Sequence, residues 1–202
     1  MIILGVDTSL PLLSVALLRD DALIGALSLE GKGSRNEKLL PAIDWLLTEA
    51  AVSRTSIDLF AVTRGPGSFT GVRIGLATVQ GLALVLGRPV CAMSTHEAIA
   101  SSFDDDVVIA DDAGRGEFYV SHFAGGRETS PPRLLTAAER AELSGRIITV
   151  AEFAERQNVA AGAARRAHRA AAEGDLDRFA DATPIYVRLA EAEVKLQQKR
   201  SR

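Results

Sequence analysis

Between Arg64 and Ala77 the chain reads RGPGSFTGVRIGLA, with glycines at 65, 67, 71 and 75 and a proline at 66. Glycine admits positive φ and lets another backbone or a phosphate come close, while proline fixes its own φ and removes a donor. The run sits where a loop hands over to a helix. Its backbone therefore does something that side chains would obstruct. Two readings stay open: the loop cradles an anion at the helix N-terminus, or it lets the helix pack tightly against a neighbour.

Neither nucleotide-loop signature is met, because no lysine follows the glycines and the G-x-G-x-x-G spacing is absent. Gly71, Gly75 and Thr78 recur at four and three residues, and Leu82 and Val85 continue that face. Each glycine inside a helix costs about 1 kcal/mol relative to alanine, so close approach of another helix or chain must offset it. The second reading is favoured, with the glycine face expected to meet a partner helix.

The surrounding pattern sets the lobe around this run. Ile2 to Val6, Leu12 to Leu18 and Ala22 to Leu29 read as three strands joined by tight turns, an antiparallel meander. From Asn36 to Ala51 the apolar residues Leu39, Leu40, Ile43, Leu46, Leu47 and Ala50 mark an amphipathic helix with Pro41 in its early turns. A strand at Asp58 to Thr63, a helix at Thr70 to Leu86 closed by Gly87, a strand at Pro89 to Met93 and a short helix at Ser94 to Ser102 complete a βββαβαβα order. A meander followed by strand–helix crossovers gives a mixed sheet covered by helices. This lobe is expected over residues 1–103.

Asp104, Asp105 and Asp106 mark the boundary to a smaller lobe at 104–184. It opens with strands at Val107 to Ala110 and Glu117 to Ala124 around a DDAGRG loop. A helix near Ala137 to Leu143, a strand at Arg146 to Val150 and a helix around Ala160 to Ala172 follow. A charged helix is expected at Leu189 to Lys199, ahead of a basic end.

Composition removes several function classes. The chain of 202 residues carries a net charge of −3, so it lacks the basic field that holds nucleic acid by phosphate neutralisation. The single Cys91 excludes an intramolecular disulfide and a multi-cysteine zinc site. An apolar, β-branched start without a basic leader, and an apolar stretch at Ile74 to Gly87 shorter than a bilayer span, lead us to expect a cytoplasmic protein with no membrane segment.

The chemistry-bearing residues are few. Asp7-Thr8-Ser9 at the first hairpin turn either stabilises that turn or is a phosphate-loop remnant. Ser9, Ser68, Cys91 and the histidines can be nominated as catalytic only singly, and no histidine pair has metalloprotease spacing. His96 reads as a surface residue at a helix start and Cys91 as an inert core thiol. Asp111, Asp112, Arg115 and Glu117 form a charged loop, either a solvated turn or a place where Arg115 or Glu117 meets a ligand or partner between the lobes.

MIILGVDTSL, EKLLPAIDWLL, RGPGSFTGVRIGLATVQGLALVLGRPV, DDAGRGEFY and PIYVR together resemble the TsaB (YeaZ) family, densely over about the first 120 residues. The resemblance implies a two-lobed, actin-like ATPase fold of the sugar kinase/Hsp70 type, ribonuclease H-like, whose terminal helix, about 185–200, returns to the first lobe. It also implies a non-catalytic partner of TsaD in forming the threonylcarbamoyl group on N6 of adenosine 37 of tRNA, with TsaE as a further component. The implied partner surface lies on the first two helices, here Leu39, Leu40, Ile43 and Leu47 with Gly71, Gly75, Thr78 and Leu82, and serves a homodimer when the chain is alone. No tightly bound cofactor or metal is implied; ATP or ADP would lie at the partner interface, and tRNA would be met only through the complex. Arg35-Asn36 stands where relatives often carry His-Ser. The competing reading is an active glycoprotease-like hydrolase or an ATPase using Asp7 and the glycine loop.

Overall fold

The structure is a computed structural model that describes residues 1–30 and 35–186. Strands β1 (Ile2–Asp7), β2 (Leu12–Arg19) and β3 (Ala22–Glu30) form the expected meander, with Leu4 opposite Leu17 and Val6 opposite Val15. β4 (Leu59–Thr63) adds to β1 in parallel and β5 (Val90–Met93) adds to β4, giving the order β3-β2-β1-β4-β5. The central strands are apolar almost throughout because both of their faces are covered, whereas edge strand β3 has only half-buried and exposed positions, alternating over its second half.

Helices α1 (Arg35–Glu49) and α2 (Phe69–Leu86) cover one face of this sheet. Their Leu39, Ile43, Leu46, Leu47, Val72, Leu76 and Val79 form a core with Leu4, Val6, Val15, Phe60 and Val62. Ser68 caps α2 by accepting from the Gly71 N–H, and Gly87 ends it in the left-handed conformation. A short helix, α3 (Thr95–Ala100), follows β5 behind its cap Ser94.

The second sheet is built from β6 (Val107–Gly114), β7 (Glu117–Ala124), β8 (Arg127–Thr136) and β9 (Ile147–Thr149), in the order β8-β7-β6-β9. Two helices accompany it, α4 (Ala137–Ala141) and α5 (Val150–Arg156). Helix α6 (Val159–Glu173) then leaves this lobe and packs on β1, β2 and β4 of the first sheet, on the face opposite α1 and α2. Its buried alanines 163, 164, 167 and 170 join Ile3, Leu18, Leu59 and Ala61. A Cβ at Gly5 would overlap the Ala160 carbonyl, so the helix and sheet come together at backbone distance.

This placement corrects the expected boundary of 104–184 for the second lobe, because α6 belongs by its contacts to the first. Small side chains on both surfaces make the close approach possible. The expected helix at Leu189 to Lys199 lies outside the described residues. Strand β8 and helix α5 were not expected. β8 carries Pro131 and Pro132, which it accommodates because it is an edge strand, where a missing donor is tolerated.

Candidate functional site

Asp7 ends β1 and is fully buried. One of its carboxylate oxygens, Oδ1, accepts from the Ser9 hydroxyl at 2.6 Å, the Ser9 N–H at 3.1 Å and the Thr63 hydroxyl at 2.5 Å. Its Oδ2 has no hydrogen-bond partner, and burial raises the Asp7 pKa above the usual carboxylate value. Beside it Thr8 donates its hydroxyl to the Gly71 carbonyl at 2.6 Å, and the Ser68 N–H donates to the Ser9 carbonyl at 2.7 Å. The turn and the start of α2 satisfy one another. The Thr8 and Ser9 hydroxyls, which could have met a phosphate, are taken by the Gly71 carbonyl and the Asp7 carboxylate.

The glycines of the opening run explain this contact. A Cβ at Gly71 would overlap the Thr8 carbonyl oxygen, one at Gly75 the Thr8 hydroxyl, and one at Gly67 would lie 2.5 Å from the Ser9 carbonyl oxygen. Gly71 and Gly75 therefore face into the fold, which corrects their assignment to a partner surface. Close packing is the right physical reason, but the neighbour is intrachain. Of the other residues expected on that surface, Leu39, Ile43 and Leu47 are core residues, and Thr78 and Leu82 are half-buried. Leu40 is exposed as expected.

The surface that α1 and α2 turn outward carries Leu40 and Trp45 from α1, and Ala77, Gly81, Leu84 and Val85 from α2. Leu84 and Val85 each keep 84% of their surface exposed. Between the helices a groove of about 260 Å³ is lined by Leu40, Ile43, Leu47, Leu82 and Leu86, with Asp44 and Arg54 at its edge. A Cβ at Gly81 would meet nothing within 4 Å. By length and composition α2 is apolar enough to cross a membrane, with mean hydropathy 1.6, yet a third of it is buried within this fold. Its sequence carried the signal for the outward face too, since Ala77 and Leu84 fall opposite the glycines, whereas Val85, on the glycine side, is exposed because it lies beyond the turns that Thr8 closes.

Between the lobes lies a cavity of about 670 Å³. Its wall includes Ser9, Leu10, Arg35 and Ser68 from the first lobe, and Asp111, Asp112, Tyr119 and Glu155 from the second. The Arg35 guanidinium donates to the Leu10 carbonyl at 3.0 Å and the Ser68 hydroxyl at 3.2 Å, so this residue staples α1 to the β1–β2 turn. Burial and the nearby Asp112 and Asp7 carboxylates push Asp111 up to about 6. Asp111 and Asp112 line the cavity, whereas Arg115 and Glu117 belong to the tip of the β6–β7 hairpin, where Arg115 has φ 61°. The residues of this loop that line the inter-lobe cavity are thus the two aspartates, three to six residues before Arg115 and Glu117.

The buried Ser9 hydroxyl donates to the Asp7 carboxylate at 2.6 Å and lies 2.9 Å from the Thr95 hydroxyl. His96, expected on the surface, is fully buried, with Nδ1 at 2.7 Å from the Ser121 hydroxyl and burial pushing its pKa down to about 3. It was misread because a helix start is usually exposed, whereas α3 is wedged between the lobes. Cys91 is buried in β5, and burial pushes its thiol up to about 12. Among the described residues no group of three His, Cys, Asp or Glu side chains is placed to hold a metal ion.

The family model described as TsaD, tRNA N6-adenosine threonylcarbamoyltransferase, matches residues 33–182. The tRNA threonylcarbamoyladenosine biosynthesis protein TsaB of Bacillus subtilis is 36% identical over 123 residues, 59% of this chain and 54% of that protein. TsaB of Escherichia coli is 37% identical over 128 residues, covering 61% and 55%. The chain thus spans about half the length of these curated relatives in the matched region. The solved structure of YeaZ from Pseudomonas aeruginosa superposes with a TM-score of 0.74 at 29% identity, covering 92% of this chain and 99% of that one. Fold, sequence and family model agree: the chain belongs to the TsaD tRNA N6-adenosine threonylcarbamoyltransferase family, as a member of TsaB/YeaZ type.

Proposed function

We propose that this chain is a non-catalytic subunit that supports TsaD in placing the threonylcarbamoyl group on N6 of adenosine 37 in tRNAs reading ANN codons, with TsaE as an ATP-dependent component. The observation that carries this reading is the outward face of α1 and α2. Leu84 and Val85 are almost fully exposed beside an apolar groove, and an exposed apolar patch of this kind marks an interaction surface. Gly81 adds to it. A helix-interior glycine costs about 1 kcal/mol, and at this position nothing within the chain requires it. A partner helix approaching at backbone distance would. The same face serves a second copy of the chain when TsaD is absent.

The non-catalytic part of the reading is supported by the state of the phosphate turn. Thr8, Ser9, Ser68 and Gly71 are bonded to one another, and Asp7 is sealed beneath them. No nucleotide is held tightly by this chain; ATP or ADP enters at the interface with the partner, in the cytoplasm, and tRNA is met through the complex. Against the hydrolase reading, the Ser9 hydroxyl is buried between Asp7 and Thr95; against the ATPase reading, the Thr8 and Ser9 hydroxyls already bond within the chain.

The test is reconstitution. The purified chain alone turns over neither ATP nor tRNA, and adding TsaD and TsaE yields N6-threonylcarbamoyladenosine; Leu84→Asp abolishes co-elution with TsaD and the modification together. Robust turnover by the lone chain, or full activity of Leu84→Asp, overturns the reading.

A further inference from the structure

Residues 181–186 are fastened to the first lobe by the start of the glycine-rich loop, Arg64 and Gly65. The Ile185 N–H donates to the Arg64 carbonyl at 2.7 Å. The Arg64 guanidinium donates to Asp181 Oδ2 at 3.0 Å and to the Thr183 carbonyl at 3.2 Å. The Ile185 carbonyl oxygen sits 2.9 Å from where a Cβ at Gly65 would be. Arg64 and Gly65 form a socket for an extended strap. That strap delivers Tyr186 to the N-terminal turn of α2.

There Tyr186 completes a cluster on the outer surface. The Arg73 guanidinium lies 3.8 Å from the centroid of the Phe69 ring and 5.9 Å from that of Tyr186, the two rings are 5.2 Å apart, and Arg73 Nε donates to the Tyr186 hydroxyl at 3.0 Å. Both rings remain 44% exposed, so the cluster adds little to the core. Among the described residues no carboxylate pairs with Arg73. Phe69, Arg73, Ala77, Gln80 and Leu84 fall at steps of four, four, three and four, one stripe of about 22 Å along α2. The cluster is continuous with the apolar face.

From this placement we infer that Arg73, held between Phe69 and Tyr186, is the polar anchor of that face and seats a carboxylate of the partner protein. The inference rests on the partner reading above and names the chemistry the partner must offer. A stacked arginine has already lost much of its rotamer freedom, so little is left to lose on binding. Its Nη groups suit a carboxylate fork. Tyrosine and arginine at the end of an apolar stripe are also the residue types that dominate interface energetics.

The experiment measures association with TsaD by calorimetry in 50 and 300 mM salt for the unaltered chain, Arg73→Gln and Leu84→Asp, with hydrogen exchange at Ile185 as a report on the strap. Arg73→Gln is expected to weaken binding at least tenfold in low salt and to flatten the salt dependence, with Ile185 exchange unchanged. Binding within twofold of the unaltered chain, while Leu84→Asp still abolishes it, overturns the anchor and leaves the partner reading standing. Loss of affinity that appears only together with faster Ile185 exchange makes Arg73 a fastener of the strap and also overturns the anchor. Unaltered binding by both variants overturns the partner reading itself.

Discussion

Two glycines of one helix give opposite predictions for the same substitution. Replacing Gly71 by alanine adds a methyl group that overlaps the Thr8 carbonyl, which is backbone and cannot rotate away. Helix α2 must move outward from β1. That movement breaks the bond from the Thr8 hydroxyl to the Gly71 carbonyl, 2.6 Å in length and buried, which is worth about 1 kcal/mol. Overpacking adds about 1–3 kcal/mol, and the higher helix propensity of alanine returns up to about 1. The net loss is about 1–3 kcal/mol. For a chain of this size it lowers Tm by roughly 2–12 °C. At Gly81 the added methyl group meets nothing, so only the propensity gain remains and Gly81→Ala raises Tm by roughly 2–4 °C. Differential scanning calorimetry at dilute protein concentration, where a self-associated form does not contribute, reads both. A Gly71→Ala protein as stable as the parent would refute the intrachain account of the glycine run.

Other consequences are as direct. Glu97 is buried, its Oε1 lying 3.3 Å from Arg166 Nε and 3.7 Å from Arg178 Nη2, so Glu97→Ala strands a buried guanidinium and should cost about 3–5 kcal/mol, measured by urea unfolding; a loss under 1 kcal/mol would contradict it. Asp111 has its folded pKa raised from 3.8 to about 6, so its neutral form is favoured by folding; the stability this gives is present below pH 3.8 and is lost as pH rises to about 6. Asp111→Asn should therefore be more stable than the parent at pH 8, by no more than about 3 kcal/mol, with the difference vanishing near pH 4; equal unfolding curves at pH 8 would refute it. His96 has the reverse sense on the acid side: its pKa falls from 6.5 to about 3, so stability is lost as pH drops below 6.5, and His96→Gln should flatten that limb in an acid-unfolding series.

What the sequence made legible follows the range of the forces involved. The βββαβαβα order could be read because strand runs, turn chemistry and helix periodicity are local, and the Gly87 end of α2 was placed by residue type alone. The return of α6 to the first sheet could not. It depends on Gly5 meeting the Ala160 backbone across 155 positions of chain, and the alanine face of α6, distinct as it is from the Arg165, His168 and Arg169 side, does not say which sheet it covers. His96 was misplaced for a related reason, since its burial is set by the second lobe closing over α3 through Ser121.

The glycine run carries the same lesson to the candidate site. Periodicity correctly put Gly71, Gly75 and Thr78 on one side of α2, and the need for a close neighbour was correctly inferred from the cost of glycine. What a single sequence does not contain is which side of an apolar helix meets its own chain. For α2 both sides are apolar enough to be buried. One is closed by Thr8, and the other carries Leu84 and an unexplained Gly81. A helix whose outer surface obeys the composition of an inner one has a second burial still to make, and we propose that a partner supplies it.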